Sequence, residues 1–212
     1  ETWSDEYRQT RTASLHNELW TRFIARQRDG IVRAEAVSFF PPGVLPSSDA
    51  LLREIGVTDD KRFYIYMTGE AVGDYVPPPP HPLPRVFCCA RLTWQKPVRF
   101  GTSPIDYKGT DRLLEGVRKF NERTGTKLGV RLVKKGMHIE ETEQLARELG
   151  VSEQITWLAE MPHHEFRQEL LAADICVDQL DESLVGMAGL DAMGLGRPLI
   201  ANGRPDIFAP DL

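Results

Sequence analysis

The sequence predicts an α/β fold: an open parallel sheet with helices flanking it. Three observations carry that expectation. From residue 85 onward, short apolar runs alternate with helical patterns of about ten residues, the rhythm of βαβ units. A proline run, Pro77–Pro80, separates this regular part from what precedes it. Near the end, two short buried strands, Asp174-Ile175-Cys176-Val177 and Leu199-Ile200-Ala201, bracket a helix punctuated by Gly186, Gly189, Gly194 and Gly196.

Each element follows from its residues. Residues 5–27 place Leu15, Leu19, Phe23 and Ile24 on one stripe and predict an amphipathic helix. Pro41–Gly43 reads as a loop, after which Ser47 or Ser48 starts a short helix near Asp49–Ile55. Phe63–Met67 reads as a strand. The prolines, continued by Pro82 and Pro84, favour an extended polyproline conformation and cannot join a sheet interior. They divide a partial N-terminal segment and linker, residues 1–84, from a ligand-binding domain of residues 85–212.

Within that domain, Val86–Leu92 is the first strand. Asp111–Glu122 is a helix with Leu113, Leu114, Val117 and Phe120 inward. Gly129–Val133 is a strand, and Glu140–Leu149 a helix stopped by Gly150 at its C′ position. Strand Ile155–Leu158, helix His164–Ala172 and strand Ile175–Asp178 follow. In the glycine-spaced helix, Met187, Leu190 and Met193 repeat at helical spacing; strand Pro198–Ala201 closes the series.

Composition narrows the function. Apolar residues make up 41% of 212, enough for an ordinary core, and a net charge of −5 argues against a nucleic-acid-coating protein. Three cysteines, Cys88, Cys89 and Cys176, lie in apolar runs and make a poor disulfide framework, which points to a reducing compartment. No run of about 18 apolar residues is present, so no spanning helix is expected. The polar start, Glu1-Thr2-Trp3-Ser4-Asp5, resembles no secretory signal and lacks an initiator methionine. The expectation is a soluble cytoplasmic protein, this chain being part of a longer one.

Open parallel sheets bind ligands beyond the carboxyl ends of their strands. That rule selects the loops after Leu92, Leu158 and Asp178. Arg91 stands at the first strand's end and Lys108-Gly109-Thr110-Asp111 at the next helix start. Two cations there, with Thr110 capping the helix beneath them, would stabilise a diphosphate that gains charge as it leaves. The competing reading has Arg91 paired with a surface carboxylate and Lys108 solvated. The helix start at Gly186–Gly189 suits a phosphate, because glycine permits close approach and helix N–H groups attract anions. Asp191 fits a ribose diol, or equally a first-turn acid favoured by the helix dipole.

Other features carry less. His163 and His164 are adjacent, not three or four apart, so they read as a helix start with Glu165 rather than metal ligands. Lys134-Lys135-Gly136 reads as a solvated basic turn on the ligand side of the sheet. Trp94, Tyr107 and Trp157 read as core or rim. No dinucleotide fingerprint, Walker loop or serine elbow is present.

Taken in order, these residues resemble the donor domain of GT-B-fold glycosyltransferases, family 4 in particular. Arg91, then Lys108-Gly109-Thr110-Asp111 with Leu113-Leu114, resemble its opening "R…KG-x-D-x-L". Glu141-Thr142, Leu145-Ala146, Leu149-Gly150-Val151 and Ile155–Leu158 resemble its middle. Ala173-Asp174-Ile175, then Gly186 through Asp191-Ala192-Met193 to Gly196-Arg197-Pro198-Leu199-Ile200, resemble its end. The ordered match spans roughly residues 85–203.

The resemblance implies a Rossmann-like sheet and transfer of a hexosyl unit from a nucleotide-diphosphate sugar to a glycan, lipid or small-molecule acceptor. Retention of anomeric configuration, and no metal or other cofactor, are implied with it. Carried over, Arg91 and Lys108 hold the donor diphosphate, with Gly109 at the helix start. Gly186, Met187, Ala188 and Gly189 hold the distal phosphate and sugar, Asp191 the ribose, and Glu160 and Met161 lie by the base. Ser183 and Asp191 occupy the positions of two family glutamates; Asp is one methylene shorter, and Ser183 carries no charge. Asp178-Gln179 at the strand end is similar to one sub-group of the family. Lys134-Lys135-Gly136 replaces the usual glycine turn, and the loop between Arg91 and Lys108 is long. Residues 1–84 do not read as the complete first domain that a GT-B enzyme uses for its acceptor. Two alternatives therefore stand beside the transferase: a non-catalytic or degenerate nucleotide-binding or interaction module, and a nucleotide-sugar epimerase of the same fold.

Overall fold

The computed structural model describes residues 11–39, 43, 46–63, 75–95, 107–180 and 185–202. The described residues up to 63 belong to one compact unit and those from 75 onward to a second.

In the first unit, helix α1 spans Arg11–Arg33. It runs beyond the expected end at residue 27; the expected start, residues 5–10, lies outside the described residues. Along it Leu19 and Phe23 are exposed, while Ile24 and Ile31 are half-buried. Strand β1, Val37–Ser38, pairs in parallel with β2, Arg62–Phe63. The remainder of the expected strand Phe63–Met67 lies outside the described residues. Helix α2, Pro46–Glu54, begins before Ser47 and Ser48, so neither serine is its cap. Buried Asp49 bonds the Arg62 guanidinium at 2.7 Å and the Gly43 amide at 2.7 Å. Burial alone would raise Asp49, but those two partners outweigh it and hold the carboxyl below its usual range.

The second unit is an α/β layer structure around a five-stranded parallel sheet. Its strands are β3 (Arg85–Cys88), β4 (Gly129–Val133), β5 (Ile155–Leu158), β6 (Ile175–Val177) and β7 (Leu199–Ile200). Its helices are α3 (Thr110–Thr124), α4 (Ile139–Glu148), α5 (His163–Ala172) and α6 (Met187–Gly194). The spatial order is β5-β4-β3-β6-β7. The chain thus winds outward from β3 to β5, then returns to β3's other side at β6. That reversal opens a crevice between the carboxyl ends of β3 and β6, where such sheets bind ligands.

Alternation along the strands fills both faces. Val86, Cys88, Val130 and Leu132 pack with Leu113, Leu114 and Val117 of α3 and Ala146 of α4. Phe87 and Cys176 face the other way, onto Leu170 of α5 and Ala192 of α6. Fully burying one such Leu contributes roughly 1.5–3 kcal/mol, so these two layers hold the sheet. The proline-rich stretch straps the sheet's opposite end: Pro84 O accepts from Gly129 N at 2.9 Å, and His81 Nε2 bonds Ala172 O at 2.7 Å. Arg197 reaches Val76 O there, and Tyr75 stacks on its guanidinium at 5.5 Å.

Several expectations need correction. β3 ends at Cys88 rather than Leu92, because the chain peels off there to form the Arg91 loop. Phe120 is exposed, lying past the part of α3 that the sheet covers. Thr110 is the first residue of α3 and its hydroxyl caps nothing; Gly109 is the cap, at φ 70°. Met187 and Met193 of α6 are exposed, and its buried residues are Gly189, Asp191 and Ala192. Only small residues fit there: a Cβ on Gly189 would lie 2.7 Å from Asp178 Oδ2 and 3.1 Å from Leu199 Cδ2.

Candidate functional site at the carboxyl end of the sheet

A cavity of about 400 Å³ opens beside the β3–β6 crevice. Four stretches of chain build its walls. Cys89, Ala90 and Arg91 come from the loop after β3; Val133 and Lys135 from the end of β4; Glu160 and Met161 from the loop after β5. His163 and Phe166 of α5 and Ala188 and Asp191 of α6 close it.

Backbone hydrogen bonds fix the Arg91 loop. Leu92 N donates to Lys135 O at 2.7 Å, and Leu92 O accepts from His138 N at 2.9 Å. Gly136 makes this crossing possible: at φ 136°, a Cβ there would lie 2.4 Å from Leu92 O. Buried His138 continues the clamp, its Nδ1 accepting from Trp94 N at 3.0 Å and Gln95 N at 3.3 Å. With both bonds accepted at Nδ1, the ring's proton sits on Nε2. Thr93 O then receives Lys108 N at 2.7 Å, tying the second cation's segment to the first.

Lys108 Nζ donates to Gln179 Oε1 at 2.8 Å, across the crevice from the β6 side. Arg91 lines the cavity and Lys108 does not. Gly109 is confined by Leu180, whose Cβ would lie 2.9 Å from a Cβ at that position. Leu180 N also donates to Lys108 O at 3.0 Å.

Asp178 lies buried under the start of α6. Its Oδ2 accepts from Gly186 N at 2.5 Å. Burial pushes its carboxyl above the usual range, against the Gly186 and Gln179 amides and Lys108, which pull it down. The amides of Met187, Ala188 and Gly189 are first-turn donors without acceptors inside the helix.

Asp191 is buried in the second turn of α6, not the first, so the helix dipole does not account for it. Its Oδ2 lies 3.6 Å from His163 Nε2. His164 instead faces Glu165 at 3.8 Å, so the adjacent histidines serve different partners. Lys134 and Lys135 also part company. Lys134 pairs with Glu143 at 2.6 Å and lies 5.5 Å from the Trp157 ring, whereas Lys135 pairs with Glu160 at 2.9 Å on the cavity rim. Ser183 lies outside the described residues.

The cysteines here are poor nucleophiles. Burial pushes Cys88 up to about 12, and the Cys176 thiol beside Cys89, with burial, holds Cys89 well above the usual thiol range.

Glu160 and Asp191 were expected in the site, but their partners Lys135 and His163, and the carboxylate Asp178, were not. The two pairs join segments far apart in sequence. Only the strand-end position of Asp178 could have flagged it.

No protein-family model matches the chain, and no curated protein matches it. Solved structures do. Sucrose-phosphate synthase from Thermosynechococcus elongatus is 19% identical with a TM-score of 0.56, over 97% of this chain and 48% of that one. A point mutant of S. aureus TarM, in complex with fondaparinux, alpha-GlcNAc-glycerol and UDP, is 12% identical with a TM-score of 0.56, over 82% of this chain and 31% of that one. The apo lipopolysaccharide outer core galactosyltransferase WaaB is 18% identical with a TM-score of 0.50, over 74% and 41%. The chain therefore spans less than half the length of these structures. Its fold is that of the GT-B glycosyltransferases, with their Rossmann-like parallel sheet.

Proposed function

We propose that this chain is the donor-binding part of a retaining, family-4-like glycosyltransferase, which moves a hexosyl unit from a nucleotide-diphosphate sugar to an acceptor. One observation carries the reading: a single cavity at the carboxyl end of the sheet brings Arg91, in the loop after β3, together with buried Asp191 and Ala188 of α6. The chemistry breaks the bond between the sugar's anomeric carbon and the diphosphate oxygen, and forms one to an acceptor oxygen. The leaving diphosphate gains negative charge, which on this reading Arg91 and the Ala188 end of α6 oppose at the cavity, while Lys108, outside the cavity lining, adds positive charge from the crevice. Asp191 accepts hydrogen bonds from the ribose hydroxyls. The acceptor hydroxyl gives up its proton to the departing diphosphate, so the bond formed and the bond broken balance. The reading needs no metal, since fixed cations and amides oppose the diphosphate charge.

The UDP in the TarM structure supports a nucleoside diphosphate as the ligand class. Calorimetric titration with nucleoside diphosphates tests the reading. Saturable binding that weakens on Arg91→Ala or Lys108→Ala supports it; no binding by the folded chain overturns it.

A degenerate, non-catalytic nucleotide-binding module is the second reading. Asp178 favours it, because a carboxylate on the Gly186 amide places an anion beside the phosphate position. Turnover of a nucleotide-sugar by a longer form of the protein rules it out.

A further inference from the structure

We propose that the cavity selects guanine, so that the donor is a GDP-sugar; this rests on the donor-site reading above. The observation is the pair Lys135–Glu160. Lys135 comes from the turn after β4 and Glu160 from the loop after β5, and both line the cavity. Lys135 Nζ lies 2.9 Å from Glu160 Oε2. The rim thus offers one donor, the Lys135 ammonium, beside the two acceptor oxygens of the Glu160 carboxylate, an order of donor, acceptor, acceptor that a base edge can read.

The edges of the bases differ in that order. Guanine offers O6, N1–H and N2–H: acceptor, donor, donor. It is the complement of that order, with Lys135 on O6 and the Glu160 carboxylate bridging N1–H and N2–H. Uracil offers acceptor, donor, acceptor, so its O2 would face the second carboxylate oxygen. Cytosine offers donor, acceptor, acceptor, and opposes that order throughout. Adenine lacks a third polar group on that edge. A bidentate contact from a carboxylate gives direction as well as strength.

The surroundings suit a planar base. Met161, Val133 and Phe166 supply apolar wall beside the pair, and Asp191 stands in the same cavity for the ribose. The Lys135 and Glu160 side chains are more than half exposed. Such an exposed pair turns outward at little cost, so both side chains can meet a base edge while staying neighbours.

The test is a titration of the chain with GDP, UDP, ADP and CDP, repeated on Glu160→Gln. Glu160 is exposed, so the substitution leaves the fold intact. GDP is expected to bind at least about tenfold tighter than UDP, with CDP weakest. Glu160→Gln, which offers one acceptor and one donor instead of two acceptors, is expected to weaken GDP about tenfold and to tighten UDP, whose O2 then meets a donor. Equal binding of GDP and UDP, or a GDP affinity indifferent to Glu160→Gln, overturns the guanine assignment and leaves the donor-site reading standing. Failure of all four nucleotides to bind overturns both.

Discussion

Lys108 and Gln179 meet across the crevice where the sheet's winding reverses, Nζ to Oε1 at 2.8 Å. One stands at the start of α3 and the other just past β6, so the contact bridges the two halves of the sheet. It holds a cation at the crevice before any anion arrives. Lys108→Ala is expected to lower nucleoside diphosphate affinity about 10- to 100-fold, the range for a charge-assisted hydrogen bond. Gln179→Ala keeps the charge but frees the side chain, and is expected to cost about threefold to tenfold. Calorimetry on both variants checks this ordering.

Asp191 is expected to read the ribose. Asp191→Ala should weaken a ribonucleoside diphosphate about tenfold and leave its 2′,3′-dideoxy counterpart nearly unchanged. Equal losses for both nucleotides would assign Asp191 to the architecture of α6 alone.

Asp178 links the site to pH. Burial raises its folded-state value above 3.8, so the folded state holds the proton more tightly than the unfolded chain. The stability this contributes is full below 3.8 and is lost as pH rises through the folded value. Asp178→Asn removes the titration. The variant's melting temperature relative to the native chain is therefore expected to rise between about pH 4 and pH 7. The same change removes a carboxylate from the Gly186 amide, beside the proposed phosphate position, and is expected to tighten diphosphate binding. Melting curves at the two pH values check the first part, and titration the second.

Gly136 is the point where the β3 and β4 loops cross. Gly136→Ala puts a Cβ against the Leu92 carbonyl at a backbone angle that L-residues rarely adopt. The expected cost is about 2–4 kcal/mol in denaturant unfolding, together with weaker diphosphate binding as the Arg91 loop shifts. Full stability in this variant would mean that the crossing relaxes freely.

The second unit was legible because its strands are short apolar runs between glycine, proline and polar turns. β4 and β5 keep their expected bounds, and the helices between them lie within a residue or two of theirs. Errors arose where packing overrides pattern. Met187 and Met193 have helical spacing but are exposed, and the helix instead turns Gly189 inward, where Asp178 and Leu199 leave no room even for a Cβ. Thr110 has the composition of a cap, yet the left-handed turn at Gly109 places it one position inside the helix. Arg91 and Ala188 could be named from a strand end and a helix start, and Glu160, Met161 and Asp191 through the family resemblance; all five line the cavity. His163, Lys135 and Asp178 could not be assigned their partners, since those depend on which loops the strand order places side by side. In the first unit, strands of two residues are too short to show any period.

The central claim is that a nucleoside diphosphate sits between Arg91 and Asp191, over the start of α6. Amide NMR of the chain with added nucleoside diphosphate tests it most directly. The expected result is a set of saturable shifts confined to the Arg91 loop, the α3 start at Gly109, the Gly186–Asp191 stretch and the Glu160–His163 segment. Shifts centred instead on Glu165, Gln168 and Glu169 of α5, which line a separate cavity with the loop after β5, would contradict the claim, as would none.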